Sequence, residues 1–153
     1  MLTRRRFLAV LGTSGAAMMA GRAFAQATLP KVTVTKDPNC GCCGGWVEHM
    51  KAAGFPVEVI TSSDVDQVKL RLGVPGDLAS CHTAEVSGYV VEGHVPAAQV
   101  IELTKRDDLL GIAVPGMPAG SPGMEVDGVQ HAYQVIGLTK TGSDQVVAEY
   151  PAQ

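Results

Sequence analysis

The 153-residue sequence lacks several features that would assign a protein class at once. It has no basic patch and no basic residues interleaved with aromatics, which argues against a nucleic-acid-binding protein. It has no internal repeat and no linker that would divide two domains, so one domain is expected. The apolar stretch from Phe7 to Ala20 is interrupted by Gly, Ser and Thr and is short for a membrane span. A membrane anchor is therefore the less favoured explanation of the N-terminal stretch.

Residues 1–25 have the features of an export signal. A basic start precedes a middle of small apolar residues, and Ala23-Phe24-Ala25 supplies a cleavage site. The stretch Thr3-Arg4-Arg5-Arg6-Phe7-Leu8 resembles the twin-arginine signal, which carries folded proteins. We therefore expect residues 1–25 to be a twin-arginine-type signal peptide, residues 26–153 to form a single domain, and the protein to be periplasmic in a Gram-negative bacterium. A retained N-terminal anchor is the alternative.

The four cysteines fall within residues 26–153, three of them in the stretch "CGCC". An even count in an exported protein first indicates structural disulfides. Adjacent Cys42 and Cys43 can hardly pair with each other without strain, so two bridges would have to combine Cys40, Cys42, Cys43 and Cys81 crosswise. A domain of this size can also form a stable hydrophobic core without disulfide bonds. A purely structural role for the cysteines is therefore the weaker reading.

The apolar pattern predicts alternating strands and helices. Strands are expected at 31–35 and 56–60, and a hairpin or bulged pair is expected across 84–92. Helices are expected from Cys43 to Gly54, from Ser62 or Ser63 to Leu72, and from Pro96 onward. Residues 111–128, rich in Gly and Pro, are expected to form a long loop, and residues 131–150 a second hairpin.

This order predicts an α/β fold: a thioredoxin-like sandwich with a small mixed sheet, to which a C-terminal Gly/Pro/Met loop and a β-hairpin are added. The analogy rests on a strand followed by a cysteine motif in which a helix begins. In such a topology the segment Ser80-Cys81-His82-Thr83 lies beside the cysteine loop, and Gly93-His94-Val95-Pro96 lies at the same end.

The spacing of the cysteines favours a metal over a redox dithiol. Cys40 and Cys43 have the C-x-x-C spacing of a dithiol, and a helix N-terminus stabilises a thiolate. Cys42 is superfluous for disulfide exchange but adds a ligand to a multi-thiolate site. Adjacent thiolates bridge different ions more readily than they bind one, and thiolates with thioethers select Cu(I). Met117 and Met124 supply thioethers in the Gly/Pro loop, where each could also be a partly buried loop residue.

The histidines and the tryptophan have weaker signals. His94 is equally compatible with a ligand and with a surface or capping residue. His82, next to Cys81, could be a ligand, a donor to a ligand or, slightly favoured, a turn residue. We expect His49 to face solvent, His131 to be structural, and Trp46 to form a core wall beside the cysteines.

Four motifs together resemble a known family. "DPNCGCCGGW", "SCHTA", "EGHVP" and "GIAVPGMPAGSPGME" resemble the exported CxCC proteins described as predicted metal-binding proteins, which include the CopG-type periplasmic copper-resistance proteins. The resemblance extends from about Lys31 to Tyr150. It implies a thioredoxin-like fold and copper held as a cysteine-bridged multinuclear cluster. The implied metal ligands are the four cysteines with Met117 and His94, and Met124 as a weaker candidate (Cys40, Cys42, Cys43, Cys81, His94, Met117, Met124).

The leading hypothesis is therefore a periplasmic protein that binds several Cu(I) ions for copper resistance, through sequestration, transfer to an efflux or oxidase partner, or redox interconversion. No residue constellation requires an organic substrate, so a conventional enzyme is not expected. The alternative is a thioredoxin-like thiol–disulfide oxidoreductase that uses Cys40 and Cys43. A third reading is a zinc-stabilised structural module. In the metal-free protein, a Cys40–Cys43 or Cys42–Cys81 disulfide is expected to require reduction before metal binds.

Overall fold

A computed structural model describes residues 28–142 and 144–153. The predicted signal peptide, residues 1–25, lies outside this part of the chain. None of the described helices has the length and apolar character that crossing a membrane would require. The elements, in chain order, are β1 (Val32–Lys36), α1 (Cys42–Ala52), β2 (Val57–Thr61), α2 (Val65–Leu72), a 3-10 turn (Gly76–Leu78), β3 (His82–Val86), β4 (Tyr89–Glu92), α3 (Ala97–Leu103), β5 (Leu109–Ala113), β6 (Tyr133–Thr139) and β7 (Gln145–Tyr150).

The seven strands form one mixed sheet in the order β2-β1-β3-β4-β5-β6-β7. β1 pairs parallel with β2 and antiparallel with β3, which pairs antiparallel with β4. These four strands with α1, α2 and α3 make the thioredoxin-like core. β5 joins β4 in parallel, and β6 and β7 extend the sheet as an antiparallel hairpin. The predicted fold class is confirmed.

Two apolar clusters lie on opposite faces of this sheet. Trp46 and Met50 of α1 pack with Val100 and Leu103 of α3 in the larger cluster, which also contains Val91. The smaller cluster contains Val90 with Val74 and Leu78, from the segment after α2. Successive strand residues point to opposite faces, so neighbouring Val90 and Val91 serve different clusters. The helices α1 and α3 therefore cover one face of the sheet, and the chain after α2 covers part of the other.

The expected loop over residues 111–128 is wrong at its start. Leu109–Ala113 is strand β5, between β4 and β6. Gly111, which contributed to the loop prediction, lies opposite Val90, and a Cβ at this position would be 2.2 Å from the Val90 carbonyl oxygen. The glycine thus permits close approach of two strands. It does not mark a turn.

Smaller differences concern the ends of elements. α1 begins at Cys42, one residue before the predicted start. α2 begins at Val65 with Asp64 as its N-cap residue, and neither predicted serine caps it. The Ser62 hydroxyl instead accepts a hydrogen bond from the Asp64 N–H at 3.0 Å, within the turn that leads into the helix. Such shifts at element ends are expected when pattern alone sets the bounds.

Candidate metal centre

The four cysteines meet where β1 ends and α1 begins. A turn after β1 is closed by the Asp37 carboxylate, which accepts from the Asn39 N–H at 2.7 Å, and by the Asp37 carbonyl, which accepts from the Cys40 N–H. Lys36, the last residue of β1, pairs with His82, the first residue of β3. Antiparallel pairing therefore places the residue before β3, which is Cys81, beside the residues that follow β1. This placement is the one the topology predicted.

The sulfur atoms form a compact group. The Cys42 Sγ lies 3.5 Å from the Cys40 Sγ and 3.9 Å from the Cys81 Sγ, and the Cys43 Sγ lies 3.5 Å from the Cys81 Sγ. All four sulfurs lie within 4.8 Å of one another. Cys43 is buried, whereas the other three are half-buried. The four sulfurs are therefore close enough for one metal centre to contact all of them.

Cys40 and Cys43 are joined by a disulfide, and Cys42 and Cys81 are free thiols. This is one of the two pairings expected for the metal-free protein. The bond occupies two of the four sulfur donors, so a four-thiolate site needs a two-electron reduction first. Burial, and then the neighbouring Cys42, raise the pKa of Cys81 to about 11, so metal binding at Cys81 must displace a proton.

His94 is oriented toward the cysteines. Its Nε2 lies 3.0 Å from the Cys81 Sγ, and its Nδ1 lies 2.8 Å from the Pro122 carbonyl oxygen. A carbonyl only accepts, so Nδ1 carries the proton and the Nε2 lone pair faces the sulfur. Burial lowers the pKa of His94 and favours this neutral form. A metal-ligating histidine is typically oriented in this way by a carbonyl partner on its other nitrogen.

His82 is a site residue that the sequence reading underrated. It is the first residue of β3 and is fully buried, so the favoured reading as a turn residue is wrong. Its Nδ1 lies 3.4 Å from the Cys81 Sγ, and its ring packs against Trp46 and His94. Its Nε2 has no hydrogen-bond partner among the described residues. Burial, with smaller effects of His94 and Lys69, lowers the pKa of His82 to about 3, so the ring is neutral.

The two methionines differ in their relation to the cysteines. The Met117 Sδ lies 3.9 Å from the Cys42 Sγ, and the side chain is 53% exposed. Met124 is half-buried, and its backbone forms a turn in which its carbonyl accepts from the Gly120 N–H. Among the described residues, the hydrogen bonds of Met124 are those of its backbone. The structure therefore places Met117 in contact with a cysteine of the cluster, and the assignment of Met124 as a ligand stays a prediction.

A close backbone contact holds the Gly/Pro loop over the cysteines. A Cβ on Gly45 of α1 would lie 2.8 Å from the Gly123 Cα, and one on Gly123 would lie 2.5 Å from the Trp46 nitrogen. Gly123 also has a φ of 84°, in the left-handed region that favours glycine. Since Pro122 orients His94, this contact connects the first helix with the geometry of the site.

A buried polar network supports Cys81 from the other face of the sheet. The Glu92 Oε1 accepts from the Lys69 Nζ and from the Ser80 N–H, both at 2.6 Å, and its Oε2 accepts from the Thr83 hydroxyl. Glu92 is fully buried and Lys69 nearly so. The network thereby fixes the residues on both sides of Cys81. Sequence reasoning missed it because none of its contacts joins residues close in the chain.

The remaining predicted residues have mixed outcomes. The prediction that His49 faces solvent is wrong, because it is half-buried and its Nε2 accepts from the Ala97 N–H at 3.0 Å. His131 is exposed just before β6. Trp46 forms a core wall, as predicted, and its Nε1 donates to the Val95 carbonyl at 2.8 Å.

The outer side of the cysteine group opens into a cleft of about 560 Å³. Cys40, Cys42, Cys81 and Met117 line it, as do Asp37, Asp66 and Lys69, and the charge of Lys69 is paired with that of buried Glu92. Carboxylates at the opening of a cleft raise the local concentration of cations. The site is therefore accessible to a metal ion from solvent through an acidic, sulfur-lined opening.

Comparison with known proteins yields one family model and two solved structures. The model, described as "Protein of unknown function, DUF411", matches residues 78–124, which include Cys81, His94, Met117 and Met124. The structures are described as Form 2 and Form 1 of "Copper resistance protein copG". Form 2 is 53% identical, covers 80% of this chain and 99% of its own, and superposes with a TM-score of 0.79. Form 1 is also 53% identical, covers 80% of this chain and 98% of its own, and superposes with a TM-score of 0.78. No curated protein gives a significant match.

Proposed function

The chain belongs to the CopG family of copper resistance proteins, and on this basis we propose that it holds several Cu(I) ions in a thiolate-bridged cluster as part of copper resistance. Copper is here the cargo of the protein. The observation that carries the proposal is the group of four cysteine sulfurs within 4.8 Å, open to an acidic cleft. Thiolate sulfur is the donor that Cu(I) prefers.

The arrangement of the sulfurs supports more than one ion. Cys42 and Cys43 are adjacent in the chain, and the sulfur of each lies next to both Cys40 and Cys81. Adjacent thiolates that share the same neighbours are better suited to bridge neighbouring ions than to chelate one. Cys42 lies between Cys40, Cys81 and Met117, so it is the sulfur we expect to bridge.

Further ligands flank the four cysteines. His94 offers a lone pair on the side of Cys81, and Met117 offers a thioether on the side of Cys42. Met117 is exposed at the cleft, so it is the ligand that a copper donor or acceptor would meet first. Met124 remains the weaker candidate because its hydrogen bonds are those of its backbone.

The biological setting is also part of the proposal. Residues 1–25 act as a twin-arginine-type signal, and the protein works in the periplasm. The Cys40–Cys43 disulfide then makes loading dependent on a reductant, since two of the donors are otherwise occupied. Storage, transfer to an efflux or oxidase partner, and interconversion of Cu(I) and Cu(II) are the roles compatible with this donor set.

Metal analysis of the reduced protein tests the proposal. The protein is reduced, loaded anaerobically with Cu(I) or with Zn(II), and desalted before elemental analysis. We expect two or more copper ions per chain, a preference over zinc, and fewer copper ions in C42S. The matched control is S80A, which changes a hydroxyl at the cleft without removing a thiolate. One or no retained copper would contradict the proposal.

One observation favours a second function. The Cys40–Cys43 disulfide has the C-x-x-C spacing of thiol–disulfide oxidoreductases, and the free Cys81 thiol lies 3.5 Å from the Cys43 sulfur. As an oxidoreductase the protein would exchange this disulfide with a substrate dithiol. C42S separates the functions, because turnover of a model disulfide that survives C42S, together with little copper retention in either protein, would favour the enzyme.

A further inference from the structure

We propose that Cys81, His82 and His94 form a second metal site, for one divalent ion such as Cu(II) or Zn(II), that is available while Cys40 and Cys43 are disulfide-bonded. It rests on the proposed function only in sharing Cys81 and His94 with the Cu(I) cluster. The three ligand atoms lie within 4.8 Å of one another. The set of one thiolate and two imidazoles suits borderline ions better than Cu(I) clusters.

The distances are close to those of an occupied site. The Cys81 Sγ lies 3.0 Å from the His94 Nε2 and 3.4 Å from the His82 Nδ1. With metal–sulfur and metal–nitrogen bonds of about 2.3 and 2.0 Å, a tetrahedral ion separates its sulfur and nitrogen ligands by about 3.5 Å. An outward shift of the Cys81 sulfur, which lies at the cleft, would open the required space.

The orientation of His82 is the observation that points to a ligand. Its imidazole is fully buried, and its Nδ1 faces the Cys81 sulfur, which the His94 Nε2 also approaches. A buried imidazole that faces a thiol, beside a second imidazole already oriented by a carbonyl, is accounted for if both bind the same ion.

The redox state of Cys40 and Cys43 determines which of the two metal sites is available. Cys40 and Cys43 are unavailable in the oxidised protein, but none of the three ligands proposed here takes part in the bond. The protein would thus hold one divalent ion when oxidised and several Cu(I) ions when reduced. Cys81 and His94 belong to both sets, so the two metal states exclude each other.

The test uses the oxidised protein, labelled with ¹⁵N at histidine, and one equivalent of Zn(II). We expect one zinc per chain and changes in the ring ¹⁵N signals of His82 and His94, while His49 and His131 keep theirs. Co(II) in place of zinc should give a thiolate charge-transfer band that is lost in C81S and retained in C42S. This readout needs no substitution of the buried His82.

Unchanged His82 signals, or the absence of a bound zinc, would overturn the second site. A Co(II) band that persists in C81S would do the same. Copper loading of the reduced protein is measured separately, so a failed second site and a failed Cu(I) cluster give different results.

Discussion

The His94 Nε2 lies 3.0 Å from the Cys81 Sγ, while the His94 Nδ1 lies 2.8 Å from the carbonyl oxygen of Pro122. The contact joins three distant parts of the chain: the residue before β3, the turn after β4, and the Gly/Pro loop. Because the carbonyl fixes the tautomer, the histidine presents a lone pair where the cysteine presents its sulfur. The predictions below follow from the contacts that hold these parts together.

The glycine pair in α1 provides a test of how the loop is held. G45A places a Cβ 2.8 Å from the Gly123 Cα, so the loop must move and Pro122 with it. We expect Cu(I) affinity to fall about tenfold, as when a partner of a metal ligand is lost. G44A is the matched control, since nothing lies within 4 Å of its Cβ, and it should stabilise the helix by about 0.5–1 kcal/mol. Competition with a Cu(I) chelator measures the Cu(I) affinity of each variant. Equal affinities would contradict the role of the loop.

The two methionines are distinguished by a pair of substitutions. M117L removes the thioether that lies 3.9 Å from the Cys42 Sγ. We expect weaker Cu(I) binding by about tenfold, equivalent to ~1.4 kcal/mol, with an unchanged number of ions. M124L should bind as the unaltered protein does. A larger effect of M124L in the same chelator competition would show that the loop rearranges on metal binding and that Met117 is not the ligand.

The Glu92 network predicts a large effect of a substitution far from solvent. E92Q leaves the Lys69 ammonium buried without a counter-charge, which should lower the free energy of unfolding by about 3 kcal/mol. The control is E85Q on the neighbouring strand, because the exposed Glu85–Arg71 pair at 3.5 Å should contribute less than about 0.5 kcal/mol. Urea unfolding of the metal-free proteins measures the difference. Similar losses for the two variants would refute the role assigned to the buried pair.

His49 predicts a pH-dependent contribution to stability. Burial lowers its pKa in the folded protein, against an opposing effect of Glu125, and its neutral Nε2 accepts from the Ala97 N–H. A depressed histidine pKa means that the unfolded chain binds the proton first. The contribution of His49 to the free energy of unfolding is therefore complete above the histidine pKa of the unfolded chain, about 6.5, and decreases as the pH falls below that value.

Comparison with H49Q isolates this effect from those of His82 and His94. The stability difference between the two proteins should shrink from pH 8 to pH 5 in thermal or urea unfolding. A difference that is constant or grows as the pH falls would contradict the assigned hydrogen bond.

The sequence predicted the parts of the fold that depend on local pattern. Alternation in residues 31–35 and the recurrence of Trp46, Val47 and Met50 suffice for β1 and α1. The position of Cys81 beside the other three cysteines followed from topology, because the antiparallel pairing of β1 with β3 places the residue before β3 next to the residues after β1. The resemblance to a family added the copper and the candidate ligands.

Features that depend on distant contacts were missed. β5 contains Gly111 and runs directly into the Gly/Pro loop, so its pattern resembles that of the loop, and its existence depends on pairing with β4 and β6. The Lys69–Glu92 pair joins residues 23 positions apart, and its charges have no local signature. His82 looks like a turn residue in sequence because nothing local indicates that Trp46 covers it.

X-ray absorption at the copper edge of the reduced, Cu(I)-loaded protein tests the central claim most directly. The account predicts copper surrounded mainly by sulfur and a second shell of copper neighbours, which requires bridging thiolates. In C42S the copper–copper contribution should decrease while sulfur ligation persists. Sulfur ligation without any copper neighbour, at full loading of the unaltered protein, would show isolated ions and contradict the bridged cluster.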